Sequence, residues 1–164
     1  MDNCQVDHAH MTPPVSAILT ARAIPHRTFT HPGPVHSLEQ AAAERGQAPG
    51  QIVRSILFRL GDGEYAMVLI AGPGQISWKA LRTAFNRSRL TMAGKDEVLD
   101  VTGYPIGAVA PFGLPAALPV LVDESVLVYD EVSLGSGVRG TTIIMQSADL
   151  VRALGDWPTG AYAK

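Results

Sequence analysis

The sequence predicts a single domain of mixed α/β structure, and three observations support this class. The chain has 164 residues, enough for one hydrophobic core but too few for two ordinary domains. Hydrophobic residues make up 46% of it and charged residues 17%, with 16 glycines and 12 prolines, which is typical of a compact, turn-rich protein. Segments with strand and helix periodicity alternate irregularly, which favours a mixed sheet over a doubly wound parallel one.

The N-terminal half contains two predicted helices and a β-hairpin. Thr12, followed by Pro13 in the first turn, begins the first helix, and the extended segment HRTFTH follows it. Ser37, with a glutamine three residues later, forms a capping box for the second helix, which stops at Gly46. The segments IVRSILFRL and EYAMVLIAG flank residues 61–63, and this arrangement predicts a hairpin.

The C-terminal half is predicted to be richer in strands. Ser77 caps a third helix, RLTMA returns as a strand, and KDEVLDV forms one or two helical turns. From Gly103 onward the chain offers the strand segments AVAPF, PVLVD, EVSLG and TTIIMQ. Ser147 is predicted to cap a last helix, ADLVRAL, which Gly155 closes.

The chain ends and the cysteine count restrict the setting. Residues 1–12 are predicted to be a flexible tail and residues 13–164 the folded domain. The single cysteine, Cys4, excludes a disulfide framework and a cysteine-based zinc site, and His8 and His10 in the tail make a weak metal pair. The sequence shows neither a membrane span nor a signal peptide, which fits a cytoplasmic protein without a membrane partner.

Arg54 is the residue that fits its surroundings least well. It is in phase with Ile52, Ile56, Phe58 and Leu60, and residues two apart share one face of a strand. A charge among apolar side chains needs a carboxylate partner, a position at the rim of the sheet, or a cleft that binds an anion. A snorkelling arginine at the sheet edge is the simpler interpretation.

Charge and motif content exclude several function classes. A net charge of −2 argues against a generic nucleic-acid-binding protein. A local basic run, however, carries Lys79, Arg82, Arg87 and Arg89 without an intervening acid. This run could contact phosphates or could be a solvated helix face. No Walker loop, dinucleotide fingerprint, HExxH motif or nucleophile elbow is present.

The remaining candidates for chemistry are histidines and glycine-rich segments. His31 and His36 could act as general bases, but a loop histidine is more often polar surface. The segments TGYPIGAVAPFG and GSGVRG could bring backbone N–H groups close to a carbonyl oxygen that becomes an oxyanion. Ordinary turns in a strand-rich half of the chain are the simpler interpretation of both segments.

Three segments in register resemble one known family. GQIVRSILF, TGYPIGAVAPFG and GSGVRGTTIIMQSADL, in this order, resemble the YbaK and ProX family of free-standing aminoacyl-tRNA deacylases, which is related to the editing domain of bacterial prolyl-tRNA synthetases. The similarity runs from about Val15 to Leu154. It implies a mixed, mostly antiparallel sheet wrapped by helices, with a crevice for the 3′-terminal aminoacyl-adenosine of a mischarged tRNA. No metal or other cofactor is implied.

The resemblance also implies a set of site residues. The family's characteristic lysine falls on Arg54, and its following Thr or Ser falls on Ser55. The amino-acid pocket falls on Phe29 and Ser37, with His36 as a neighbour. The remaining matched positions belong to the two glycine loops: Gly103, Tyr104, Gly107, Ala108, Pro111, Gly135, Ser136, Gly137, Arg139, Gly140 and the neighbouring Thr142.

The resemblance predicts ester hydrolysis by positioning, of the type that removes Cys or Ala from tRNA(Pro). Arg54 would anchor the substrate, and the N–H groups near Gly107 and Ala108 would stabilise the oxyanion. Arginine keeps the lysine's charge but is a poor proton shuttle, because its pKa is above about 12. A binding module or a synthetase accessory without turnover is therefore the alternative, as is hydrolysis of another small ester or amide. Mischarged tRNA is the expected partner, with prolyl-tRNA synthetase as a further one.

Overall fold

A computed structural model describes residues 12–164, in five helices and eight strands. The predictions for the tail, Cys4, His8 and His10 lie outside these residues, apart from Thr12. Within residues 12–164 no helix is long and apolar enough to cross a membrane. The helices are α1 (Pro14–Ala21), α2 (Leu38–Arg45), α3 (Trp78–Phe85), α4 (Lys95–Thr102) and α5 (Ser147–Leu154). The strands are β1 (Arg27–Thr30), β2 (Val53–Gly61), β3 (Glu64–Ala71), β4 (Thr91–Met92), β5 (Val120–Asp123), β6 (Glu131–Gly135), β7 (Thr141–Gln146) and β8 (Thr159–Gly160).

The strands form two sheets, and the predicted mixed α/β class is confirmed. The smaller sheet has the order β1-β7-β6 and is antiparallel throughout. The larger sheet has the order β4-β2-β3-β5-β8, with antiparallel pairs around β2 and parallel pairs on both sides of β5. A single bridge between Ile52 and Ser133 joins the two sheets. The free edge of β2 therefore lies beside β6.

Two apolar clusters cover the two faces of the β2–β3 hairpin. The main core joins alternate residues of this hairpin, including Leu57 and Leu69, to α1, α5 and the smaller sheet. The second cluster places Phe58 and Ile70 against α3, where Leu81 is fully buried. Both faces of the hairpin are thus covered, as expected for strands with long apolar runs.

Most of the predicted local signals are confirmed. Ser37 caps α2 by accepting a hydrogen bond from Gln40 N at 3.0 Å, and Gly46 ends the helix in the left-handed conformation with φ +68°. Ser77 caps α3 in the same way. The hairpin, the short strand β4, helix α4 and strands β5, β6 and β7 lie where the patterns predicted them. These signals are reliable because cap and turn residues act within one turn of backbone.

Three predictions of local structure were wrong, and one strand was missed. Pro13, not Thr12, occupies the N-cap of α1. Ser147 is the first residue of α5, not its cap, and its hydroxyl donates to Tyr129 O. AVAPF is not a strand, because the chain turns at Gly107, with φ +91°, and Pro111 lacks the N–H that a strand ladder needs. Strand β8 was missed because its two residues leave no periodic pattern.

Candidate active site

A cavity of about 930 Å³ opens between the two sheets, along the free edge of β2. Strand β4 pairs only with Phe58 and Arg59, so the first half of β2 has no strand neighbour on this side. The crevice is completed by β6 and β7, by the loop after β1 and by the loop after α4. Among the predicted site residues, those that line it are Arg54, Ser55, Gly107, Gly135 and Thr142, together with Arg139 and Gly140.

Arg54 lies at the crevice, on the face of β2 that alternation predicted. Ile56, Phe58 and Leu60 share this face and pack in the cluster beneath α3. Ile52 does not share it, since this residue precedes the strand and packs against α2. The guanidinium of Arg54 donates to the carbonyl of Gly74, while its Nε is buried without an acceptor among residues 12–164.

The surroundings of β2 also affect charge and hydrogen bonding at the crevice. Burial lowers the pKa of Arg54, because removal from water disfavours the charged form. The neighbouring Ser55 lines the crevice, and its Oγ is buried without a hydrogen-bond partner in the part of the chain that the structure describes. A buried hydroxyl without a partner is unusual, so this position can accept a polar group of a ligand.

The first glycine loop presents one backbone position to the crevice. Gly107 lines the cavity, and no atom lies within 4 Å of the place where a side chain would begin. Its N–H has no acceptor among residues 12–164. Ala108 was predicted to be a second oxyanion donor. Its N–H instead donates to Pro105 O at 3.0 Å, and the residue is fully buried. The predicted pair of oxyanion donors is therefore reduced to Gly107 in this conformation.

The second glycine loop packs against the first. A side chain at Gly135 would meet Val109 O at 2.1 Å, so only glycine permits this approach. Gly137 N donates to Ala108 O at 2.9 Å, and Ser136 Oγ, fully buried, donates within its own loop. Gly137 thus joins the two loops, Ser136 stabilises the second loop internally, and neither residue lines the cavity.

Two further residues of this region do line the crevice. Arg139 is exposed, and its Nε donates to Ile106 O at 3.0 Å, which ties the second loop to the position before Gly107. Thr142 is buried, and its hydroxyl donates to Leu134 O at 2.7 Å. The hydroxyl of Thr142 has already donated its proton, so it can only accept a hydrogen bond from a ligand.

Several residues that the resemblance assigned to the site make structural contacts and do not line the cavity. Tyr104 is buried, and its hydroxyl donates to Phe112 O at 2.6 Å. Ser37 caps α2, while His36 beside it is exposed. Phe29 stacks edge-on against His31 with ring centroids 5.0 Å apart. None of these residues lines the crevice, and neither does Pro111.

His31 and Arg45 line the crevice; the sequence offered His31 as a possible general base and gave no signal for Arg45. His31 is buried, with 8% of its surface exposed, so its interpretation as polar surface was wrong. Glu44 Oε1 lies 3.0 Å from His31 Nδ1, and Arg45 Nε donates to His31 Nε2 at 3.0 Å.

Hydrogen bonds and burial shift the pKa of both partners of His31. The bond to His31, followed by the bond from Gln40, lowers the pKa of the Glu44 carboxyl below its ordinary value. Burial lowers the pKa of Arg45, whose Nη1 donates to Ser133 Oγ at 2.9 Å. The cluster therefore connects α2 to the smaller sheet, at β6 and at the residue that follows β1.

Charge at the crevice has one sign. Arg45, Arg54 and Arg139 line it, and no aspartate or glutamate does so among the described residues. An anionic ligand would therefore be attracted, and no carboxylate general base is at hand. In residues 12–164 no three His, Cys, Asp or Glu side chains are grouped so that they could hold a metal ion.

The predicted basic run forms a separate shallow site on α3. Lys79, Arg82 and Arg87 surround a cavity of about 340 Å³, whereas Arg89 lies outside its lining. Arg87 is bonded to Glu64, so part of the positive charge is neutralised. Both the phosphate-binding and the solvated-face interpretations remain compatible with this geometry.

Comparison with known proteins identifies the family of the chain that forms this crevice. The profile of the aminoacyl-tRNA editing domain matches residues 32–153, which includes every segment that lines the cavity except the end of β1. The chain belongs to the aminoacyl-tRNA editing domain family.

Relatives of this editing domain align with more than half of the chain. The multifunctional Ser/Thr-tRNA deacylase ProXp-y of Escherichia coli strain K12 is 25% identical over 140 residues, which cover 83% of each protein. The uncharacterized protein YwhH of Bacillus subtilis strain 168 is 33% identical over 115 residues, which cover 70% of this chain and 72% of YwhH. The proline–tRNA ligase of Kosmotoga olearia is 34% identical over 92 residues, 56% of this chain but 16% of the ligase.

Solved structures support the same assignment. A candidate trans-editing enzyme for prolyl tRNA synthetase superposes with a TM-score of 0.82 at 26% identity, covering 92% of this chain and 94% of that one. The hypothetical protein APE2540 superposes with the same TM-score at 25% identity, over 92% and 99% of the two chains. The mixed α/β fold of this editing domain is therefore that of known trans-editing structures, and the family supports a hydrolase in general.

Proposed function

We propose that this editing domain is a trans-acting deacylase that hydrolyses the ester of a mischarged tRNA in the crevice. The observation that carries the proposal is a cavity lined by Gly107, whose N–H has no acceptor among residues 12–164, and by three arginines. No acid of the described residues lines this cavity, and the chain belongs to the editing family. This arrangement suits a ligand that is anionic along its backbone and develops negative charge at one carbonyl oxygen.

The proposed reaction proceeds by positioning. Water attacks the carbonyl carbon of the aminoacyl ester, and the resulting oxyanion is stabilised by the N–H of Gly107. The bond to the ribose oxygen then breaks, and one proton of the attacking water passes to that oxygen to give the ribose hydroxyl. The other proton is released to solvent as the amino acid leaves with a carboxylate. Arg54 anchors the substrate and is not assigned a proton transfer, because a guanidinium stays protonated at neutral pH.

The proposed substrates are tRNA(Pro) carrying Cys or Ala, and the relative named as a Ser/Thr-tRNA deacylase adds Ser and Thr to the panel. The test is a deacylation assay with each of these four aminoacyl groups, with correctly charged Pro-tRNA(Pro) as the matched control. Release of one or more wrong amino acids, with Pro retained, is the expected result. No turnover on any of them would exclude the proposed function.

Binding without turnover is the second candidate function. It is favoured by one observation, that Arg54 replaces the family's lysine and donates to the Gly74 carbonyl. An aminoacyl-tRNA that binds tightly but is not hydrolysed, in the same assay, would support this function. We further propose prolyl-tRNA synthetase as the partner that supplies substrate, and its addition at equal concentration is expected to raise the deacylation rate.

A further inference from the structure

Arg45 is held at the crevice by two neutral hydrogen-bond acceptors. Its Nε donates to His31 Nε2 and its Nη1 to Ser133 Oγ, at 3.0 and 2.9 Å. Because a guanidinium can only donate, His31 Nε2 carries no hydrogen, and the ring proton lies on Nδ1, which faces Glu44. The contacts thus fix one neutral tautomer of His31 and orient the guanidinium through it.

One end of this guanidinium is left without a partner. Arginine has five N–H donors, and these two contacts use two of them. No carboxylate lies within 4.0 Å of Arg45 among residues 12–164; the Glu44 carboxylate is bonded to His31 and Gln40 instead. The remaining hydrogens on Nη1 and Nη2 form a fork, the geometry that binds two oxygens of a phosphate or carboxylate.

We propose that this fork of Arg45 binds the phosphate on the 5′ side of the tRNA's terminal adenosine, with His31 as its positioning residue. The inference rests on the proposed function, because it assigns a part of the same ligand. The amino acids proposed above have neutral side chains, so none of these side chains would give the half-buried guanidinium of Arg45 an anionic hydrogen-bond partner. A phosphate supplies both the charge and the paired oxygens that the fork requires.

The test uses an inert ligand pair, so that binding is measured apart from turnover. The pair is 3′-amino-3′-deoxyadenosine carrying alanine in amide linkage on its 3′-nitrogen, with and without a 5′-phosphate. Calorimetry is carried out on the wild type, Arg45→Gln, Arg45→Lys and, as the matched control, Arg152→Gln, an exposed arginine on α5 outside the crevice.

The wild type and Arg152→Gln are expected to bind the phosphorylated ligand at least about tenfold more tightly than the ligand without the phosphate. This is the gain expected from one charge-assisted hydrogen-bonded contact. Arg45→Gln is expected to lose this preference, and Arg45→Lys to keep part of it. Equal binding of both ligands by the wild type, or an unchanged preference in Arg45→Gln, would overturn the inference while leaving deacylation untouched. An Arg45-dependent preference in a protein without deacylase activity would instead refute only the proposed function.

The role of His31 is tested by rescue. His31→Ala is expected to weaken the phosphate preference as Arg45→Gln does, whereas His31→Gln, whose carbonyl can accept from Arg45 Nε, is expected to restore part of it. With aminoacyl-tRNA as substrate, the same variants are expected to raise KM more than they lower kcat. A full preference in folded His31→Ala, verified by thermal unfolding, would exclude the positioning role.

Discussion

At the scale of single residues, Arg54 shows how one cation can serve two needs. Its guanidinium donates to the Gly74 carbonyl, in the loop before α3, and it also lines the crevice. A carbonyl partner satisfies a donor but leaves the positive charge uncompensated. Arg54 is thus available for an anionic ligand even though it has a structural contact.

We expect Arg54→Ala to lower kcat/KM for aminoacyl-tRNA by about ten- to a hundredfold, equivalent to roughly 1.4–2.7 kcal/mol of lost transition-state stabilisation. Arg54→Lys keeps the charge and is expected to keep more activity. Steady-state deacylation kinetics provide the measurement, with thermal unfolding as the check for the loss of the Gly74 contact. An alanine variant as active as the wild type would remove Arg54 from the proposed site.

Tyr104 is a residue whose role the tertiary contacts redefine. Its hydroxyl donates to Phe112 O inside the core, away from the cavity lining. We expect Tyr104→Phe to lower the free energy of unfolding by about 1–3 kcal/mol, since Phe112 O would lose a buried donor. Urea unfolding measures this change, and KM should stay within about twofold. A large rise in KM with unchanged stability would instead support direct substrate contact.

At the scale of elements, helix α2 carries the cluster that reaches the crevice. Its N-terminus depends on the Ser37 cap, and its last turn holds Glu44 and Arg45. Stability of the first turn therefore supports the placement of residues two turns later. A cap contributes typically about 1 kcal/mol, which is a large part of the stability of an eight-residue helix.

We expect Ser37→Ala to lower the free energy of unfolding by about 1 kcal/mol, because Gln40 N loses its acceptor. Ser37→Asp, which can also cap, is the matched control and should keep most of the stability. Chemical denaturation monitored by circular dichroism is the measurement. If both variants were equally destabilised, a role other than capping would be indicated for Ser37.

At the scale of the whole molecule, the C-terminal segment closes the larger sheet. Asp123, at the end of β5, is buried and accepts hydrogen bonds from Tyr162 N at 2.7 Å and Ala163 N at 3.1 Å. Tyr162 O in turn accepts from Ser77 N, at the start of α3. One carboxylate thus connects the sheet, the chain end and the helix that follows the Gly74 loop.

We expect Asp123→Ala to lower the free energy of unfolding by about 2–4 kcal/mol, because three backbone donors lose a charged acceptor: Ser125 N, Tyr162 N and Ala163 N. Hydrogen exchange should increase first at β8 and the chain end. Asp156→Ala, an exposed aspartate nearby in sequence, is the control. Unchanged exchange at these amides would contradict the closing role of Asp123.

The basic site on α3, lined by Lys79, Arg82 and Arg87, belongs to the same scale, because it shares no lining residue with the crevice and would contact a different part of a bound tRNA. If it binds the acceptor stem, the Arg82→Glu variant should weaken tRNA binding and reduce its salt dependence, while binding of an aminoacyl-adenosine stays the same. Filter binding at several salt concentrations provides the measurement, with Arg152→Glu as the control. Unaltered affinity and salt slope in Arg82→Glu would identify this face as merely solvated.

Local signals determined most of the secondary structure and the family. The caps at Ser37 and Ser77 and the hairpin at residues 61–63 act through neighbouring backbone, so the sequence alone locates them. The three segments that resemble the family likewise indicated an editing domain from the sequence alone. The alternation in β2 also placed Arg54 on the correct face, because side chains of a strand alternate strictly.

Only the tertiary structure decided which of these residues reach the crevice. Ser136, Gly137 and Tyr104 matched the family by position, but long-range packing turned them to the interior of the loop pair. His31 and Arg45 are 14 positions apart and give no joint signal along the chain, yet they share a hydrogen bond at the cavity wall. The sequence by itself thus determined the elements and the family, since these depend on local backbone chemistry. The composition of the site depended on how two sheets and a helix pack together, which no local pattern encodes.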